Sequence, residues 1–260
     1  MTLLESILAL VIAVGVPVQG HLFHCRFEAR RQAGDPNARV NSYLSAIVML
    51  WALATAVLGV WSMSDRSWAV LGFRWSGDVA DWISAGVALL GVGFFLSQFV
   101  SVTTSSAVRS AFAQALKARP NVIAVLPTTS REQRAMLGLG VTAGVTEEIL
   151  FRGFLIWALA QVMPVWIAAG LSWAAFTAAH LYQGKQGLIQ VAVVGAVLTG
   201  LYVASGSLWP LIALHIGVDV LNFITVWRVR RSPEGQATFA EVGRAGTAAA
   251  SAQGKATART

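Results

Sequence analysis

The sequence is poor in charge. Asp, Glu, Lys and Arg make up 12% of its 260 residues, where a soluble domain carries about 25%. A water-covered surface cannot be built from so few charges. Cysteine is nearly absent: Cys25 stands alone, which excludes an internal disulfide. No solenoid-type repeat is present. Nor do the apolar runs alternate with polar residues, and this disfavours a spanning β-barrel. The basic residues lie in connections and lack interleaved stacking aromatics, so nucleic acid is not an expected partner.

What is abundant is apolar sequence: 56% of the residues are hydrophobic and ten are Trp. Mean hydropathy is +0.64. Seven apolar windows are visible, at Leu3–Gln19, Tyr43–Trp61, Trp82–Val102, Met136–Val162, Val165–Leu181, Leu188–Val203 and Leu208–Trp227. Most approach the ~20 residues that a helix needs to cross hydrocarbon. The expected fold is therefore all-α, a polytopic transmembrane bundle of about seven spans, with the lipid bilayer as its first partner. The Trp residues suit the membrane–water boundary. Glu5 occupies the place of a basic leader region, so the first window reads as a span and not as a cleaved signal peptide.

Charge in the connections sets an orientation. Arg26, Arg30, Arg31 and Arg39 follow the first window, and Arg109, Lys117, Arg119, Arg131 and Arg134 follow the third. Lys185 follows the fifth, and Arg228, Arg230 and Arg231 close the seventh. With seven spans all these connections share one side. The positive-inside rule makes that side cytoplasmic, so the N-terminus is expected outside and the C-terminus inside. Ser105–Arg119 reads as an amphipathic helix on the cytoplasmic surface. The short connections and Ala-rich composition suggest a bacterial plasma membrane. The expected organisation is an N-terminal three-span region over 1–133, a four-span core over 134–230 and a disordered tail over 231–260.

The few charges inside the windows carry the functional signal. Glu147, Glu148 and Arg152 lie in the fourth window, His180 closes the fifth, and His215 and Asp219 lie in the seventh. Ionisable groups at membrane depth cost several kcal/mol unless paired or hydrated, so a cluster of them points to a site. Glu148 and Arg152 are four apart and can pair on one helix face. Glu147 is turned about 100° from Glu148 and stays free to face a cavity. His215, Asp219 and Asn222 form one polar stripe. Peptide hydrolysis needs an activated water, a proton shuttle and oxyanion stabilisation, and a carboxylate with two histidines can supply them. Glu147, His180, His215 and Asp219 are equally an oxygen–nitrogen set that a divalent metal such as zinc could accept. The residues alone leave both accounts open, although no HExxH is present.

At these residues the sequence resembles a known family. Glu147-Glu148-Ile149-Leu150-Phe151-Arg152 matches an EExxxR motif, Phe176 to His180 an FxxxH motif, and His215 to Asp219 an HxxxN/D motif. In this order they resemble the CAAX protease and bacteriocin-processing family, which includes the Rce1-type prenyl endopeptidases. The likeness covers about 134 to 227 and leaves the first three spans unmatched. It implies that Glu147 activates water with help from His180, and that Glu148 supports the site or holds Arg152. His215 and Asp219 would form the oxyanion or metal-binding side. An ionised Asp only accepts hydrogen bonds, and Asn222 could supply a donor instead. The implied function is an intramembrane endopeptidase acting on a membrane-associated or lipid-modified peptide. The alternatives are a non-catalytic scaffold or bacteriocin-immunity protein of the same fold and, less favoured, a small transporter. Transport would call for an inverted repeat or paired broken helices, and neither is visible.

Overall fold

A computed structural model describes residues 1–240. Among them the chain is helical, with turns and short irregular connections and no strand. Five helices are long and apolar enough to cross a membrane: Leu3–Gln32, Ala38–Ser62, Val79–Thr104, Leu181–Ser205 and Trp209–Arg231. Their outward faces carry large apolar side chains, such as Leu89 and Leu90 at 74% and 75% exposure. Surfaces of this kind belong against lipid. The chain is a polytopic helical membrane protein.

The other two expected spans differ for physical reasons. The fourth is helical from 130 to 160 but holds Glu147, Glu148 and Arg152 within its apolar stretch. The fifth, Val165–Ala178, is only 14 residues long. At 1.5 Å per residue it reaches about 21 Å, short of the ~30 Å hydrocarbon core. It ends where the chain bends through His180 into a 3-10 turn, Leu181–Gln183, and then Gly184 at φ 74°. The first helix is longer than its apolar window. It continues to Gln32, so the Arg-rich stretch after Gln19 is mostly helix, braced by a Glu28–Arg31 pair at 2.6 Å. It stops at Gly34 and Pro36, where helical geometry cannot continue.

Local chemistry fixes the helix starts. Capping boxes, Thr2 with Glu5 and Thr129 with Glu132, open the first and fourth helices. In each, a side chain satisfies a backbone N–H that the helix leaves unpaired. Asp78 accepts from the Asp81 N–H and starts the third. Glu5 is also buried and pairs with Arg66, whose guanidinium lies over the Trp61 and Trp157 rings. That contact clamps the first helix onto the fourth.

The seventh span is the most enclosed of the five long helices, with 39% of its apolar window buried against 11% for the third. It crosses the fourth helix at two glycines. A Cβ on Gly144 would stand 2.5 Å from Ile216 Cγ1 and 2.8 Å from the Ile216 backbone nitrogen. A Cβ on Gly140 would stand 3.2 Å from Asp219 Cβ. Small residues bring the two backbones together, and they do so beside the ionisable groups. Ser106–Lys117 is a helix, as expected, with Ala113 and Leu116 buried. The tail begins differently from its expected disorder. Residues 233–240 are helical, held by Arg109–Glu234 and by Arg230 over Phe239. The rest of that segment lies outside the described residues.

Candidate active site

The fourth helix changes winding at the glutamate pair, between Glu147 and Glu148. Glu148–Leu155 is a π-helical segment, and all eight of its residues are buried. Wider winding of this kind recurs at functional sites, because it redirects side chains and loosens the backbone ladder. Here the Ser172 hydroxyl of the fifth helix donates to the Phe151 carbonyl at 2.7 Å. A glycine is needed on the far flank, since a Cβ on Gly153 would meet the Leu71 carbonyl at 2.6 Å.

Glu148 is the hinge of the cluster. One of its oxygens, Oε1, accepts from Arg152 Nη1 at 2.9 Å and from His215 Nδ1 at 2.7 Å. Glu148 and Arg152 are both fully buried. Arg152 is satisfied further by the Gly195 carbonyl at 3.2 Å, and its guanidinium sits 4.2 Å from the Phe176 ring centroid. A buried charge with this many partners is held rigidly. His215 Nδ1 carries a proton in this arrangement, because a carboxylate can only accept. Its other nitrogen, Nε2, stands 3.9 Å from Glu147 Oε2 and 3.9 Å from Asp219 Oδ2. Glu147 Oε2 is buried and accepts no hydrogen bond from the described residues.

His180 joins through Phe176. Its Nδ1 donates to the Phe176 carbonyl at 2.8 Å, which fixes the tautomer and leaves Nε2 with a lone pair when the ring is neutral. The Phe176 ring lies 4.9 Å from the His180 ring and 6.1 Å, edge-on, from His215. One aromatic ring thus touches the histidines of two helices and the arginine of a third.

The structure therefore brings Glu147, Glu148, Arg152, His215 and Asp219 into one cluster and places His180 beside it across Phe176. Sequence reasoning named Phe176 only within the FxxxH motif and missed its contact with Arg152 and the Gly195 carbonyl. The signal for Phe176 lay in its four-residue spacing from His180. Nothing in the sequence marks a backbone carbonyl 43 residues from its donor. Tyr182 was also missed; its ring stacks on His180 at 6.1 Å.

Among the described residues, no group of three or more His, Cys, Asp or Glu side chains is arranged to hold a metal ion. His215 Nδ1 is held by Glu148 and His180 Nδ1 by the Phe176 carbonyl, which leaves the Nε2 of each ring as its available donor atom. The set Glu147, His180, His215 and Asp219 keeps oxygen and imidazole Nε2 donors but forms no three-ligand group among the described residues, and no chemical step below is routed through a metal.

These features define a membrane-embedded helical bundle with a buried Glu–His–Asp cluster. Residues 133–221 match the family described as type II CAAX prenyl endopeptidase, Rce1-like; over this segment the chain is similar to the CAAX-protease-like intramembrane peptidases. The matched stretch contains every ionisable residue of the cluster. No curated protein and no solved structure matches the chain.

Proposed function

We propose that the protein is an intramembrane endopeptidase that hydrolyses a peptide bond of a membrane-associated or lipid-modified peptide. The observation that carries this reading is the juxtaposition of Glu147 and Asp219 about the free Nε2 of His215, 3.9 Å from each, inside the family-matched segment.

In the reaction, a water donates a hydrogen bond to Glu147 Oε2 and to His180 Nε2. Glu147 takes its proton as the oxygen attacks the scissile carbonyl. The C–O bond forms and the carbonyl π bond shifts to oxygen. His215, oriented by Glu148, donates through Nε2 to that oxyanion when its ring carries both protons. Asp219, with Oδ2 3.9 Å from the same Nε2, favours the doubly protonated ring electrostatically. Collapse of the tetrahedral intermediate breaks the C–N bond, and the amine leaves with the proton that Glu147 took. Arg152 does not touch the substrate. It fixes Glu148, and through Glu148 it fixes His215. Such a division, with one carboxylate moving protons and its neighbour holding geometry, is how preorganised sites obtain both base catalysis and oxyanion stabilisation.

The test is cleavage of membrane-associated peptides by the purified chain in proteoliposomes, with products identified by mass spectrometry. Hydrolysis in H₂¹⁸O should leave one ¹⁸O in the new carboxylate. An intact peptide pool, after a broad set of lipidated and unlipidated substrates, would count against a peptidase and favour the scaffold of the same fold.

A further inference from the structure

A second polar site lies away from the cluster, at the membrane-end junction of the third and seventh spans. A cleft of about 430 Å³ is lined by Arg109, Arg228, Arg231 and Trp227, with Val102 and Pro233 among its walls. Arg109 is fully engaged: it donates to both carboxylate oxygens of Glu234 at 3.3 Å and to the Val102 and Thr103 carbonyls at 3.1 and 3.2 Å. It therefore braces the cleft and adds no free charge to it. Arg228 and Arg231 differ. Both are exposed and neither forms an ion pair among the described residues. They are three apart on one helix and share a face. Arg231 is steadied by the Trp227 ring, 5.1 Å from its guanidinium carbon.

We infer that this cleft binds the phosphate of an anionic phospholipid headgroup. Two unpaired guanidiniums on one face match a phosphate diester, which takes paired N–H donors. Trp227 is the side chain that favours the headgroup level. The third span runs directly from the cleft with Leu96 and Val100 exposed along it, so a lipid whose phosphate sits there can lay its chains against that span. Basic pockets between span ends are a recurrent headgroup site. A mere excess of charge near the membrane would need neither the cleft nor the brace that Arg109 provides.

The test uses the full chain in detergent and native mass spectrometry with three probes: phosphatidylglycerol, phosphatidylcholine and inorganic phosphate. The wild type should retain one phosphatidylglycerol, and phosphatidylcholine should bind at least tenfold more weakly. Arg228→Gln with Arg231→Gln should lose at least tenfold in phosphatidylglycerol affinity, as should Arg228→Glu alone. Arg26→Gln with Arg30→Gln removes two exposed charges from the end of the first helix and should behave as wild type. Equal losses in both double variants would mean a diffuse field and overturn the site. Inorganic phosphate displacing the lipid at comparable concentration would overturn the lipid assignment.

Discussion

Glu148 Oε1 and His215 Nδ1 stand 2.7 Å apart, although 67 positions separate them in sequence. The same oxygen also accepts from Arg152 at 2.9 Å. The fourth and seventh spans are therefore joined at the cluster by a hydrogen-bonded triad. Loss of any member leaves a buried polar group without its partner.

Glu148→Gln and Arg152→Ala should each lower the yield of folded protein. Leaving one partner of a buried pair uncompensated costs about 3–5 kcal/mol. The double variant Glu148→Gln with Arg152→Gln removes both charges and should recover part of that yield. It should not recover turnover, because His215 loses its carboxylate acceptor. The readouts are thermal unfolding in detergent and peptide cleavage. A double variant with full activity would remove the positioning role of Glu148.

Gly144→Ala tests whether the crossing of the two spans matters to the site. Its Cβ would meet the Ile216 backbone nitrogen at 2.8 Å, one residue from His215. Overpacking of this kind typically costs about 1–3 kcal/mol. Turnover should fall along with the unfolding temperature, since separating the helices lengthens the Glu148–His215 bond. Gly138→Ala is the control, because its Cβ meets nothing nearer than Ile47 Cδ1 at 3.8 Å. Equal behaviour of the two variants would show that the crossing is not tight.

Much of this was legible in the sequence, for identifiable reasons. The spacing of Glu148 and Arg152 anticipated their pair, and the stripe of His215 and Asp219 anticipated a shared face. What stayed hidden depends on winding and on backbone partners. The change to π geometry at Glu148 has no simple residue code, and the Gly195 carbonyl lies in a wholly apolar stretch, residues 191–198. Hydropathy windows also misjudged lengths. They missed that the first helix runs on through charged residues to Gln32, because solvent-facing turns are polar whether or not they are helical.

The orientation expected from the loop charges can be tested directly. In a Cys25→Ser background, a cysteine at Ser67 should react with an impermeant reagent added outside intact cells. A cysteine at Ala33 should react only after permeabilisation. Ala33 and Ser67 are both exposed and lie at opposite ends of the second span. Labelling of both from the same side would remove the seven-span arrangement.

Chelation tests the metal account. The histidine Nδ1 atoms are held within the protein and both Nε2 atoms are free, but the described residues form no three-ligand group. Purified protein is therefore expected to keep its turnover after dialysis against a strong chelator, with well under one equivalent of zinc by elemental analysis. Activity that disappears on chelation and returns with zinc would restore the ligand reading of Glu147, His180, His215 and Asp219.

Glu147→Gln separates an enzyme from a scaffold. The substitution keeps size and removes the base. Glu147 Oε2 accepts no hydrogen bond from the described residues, and its nearest charged neighbour, His215 Nε2, is 3.9 Å away. Folding should therefore survive, and the unfolding temperature should match wild type closely, unlike that of Glu148→Gln. If Glu147 takes the proton from water, turnover should fall by at least the ~10²-fold that a positioned base contributes. The loss should fall on kcat with KM little changed, because the proton moves only in the transition state. Asp219→Asn should act on the same step more mildly, since it leaves the general base in place. A Glu147→Gln protein with wild-type yield and wild-type cleavage would assign the hydrolysis to another group, and His180 Nε2 would be the next candidate for the base.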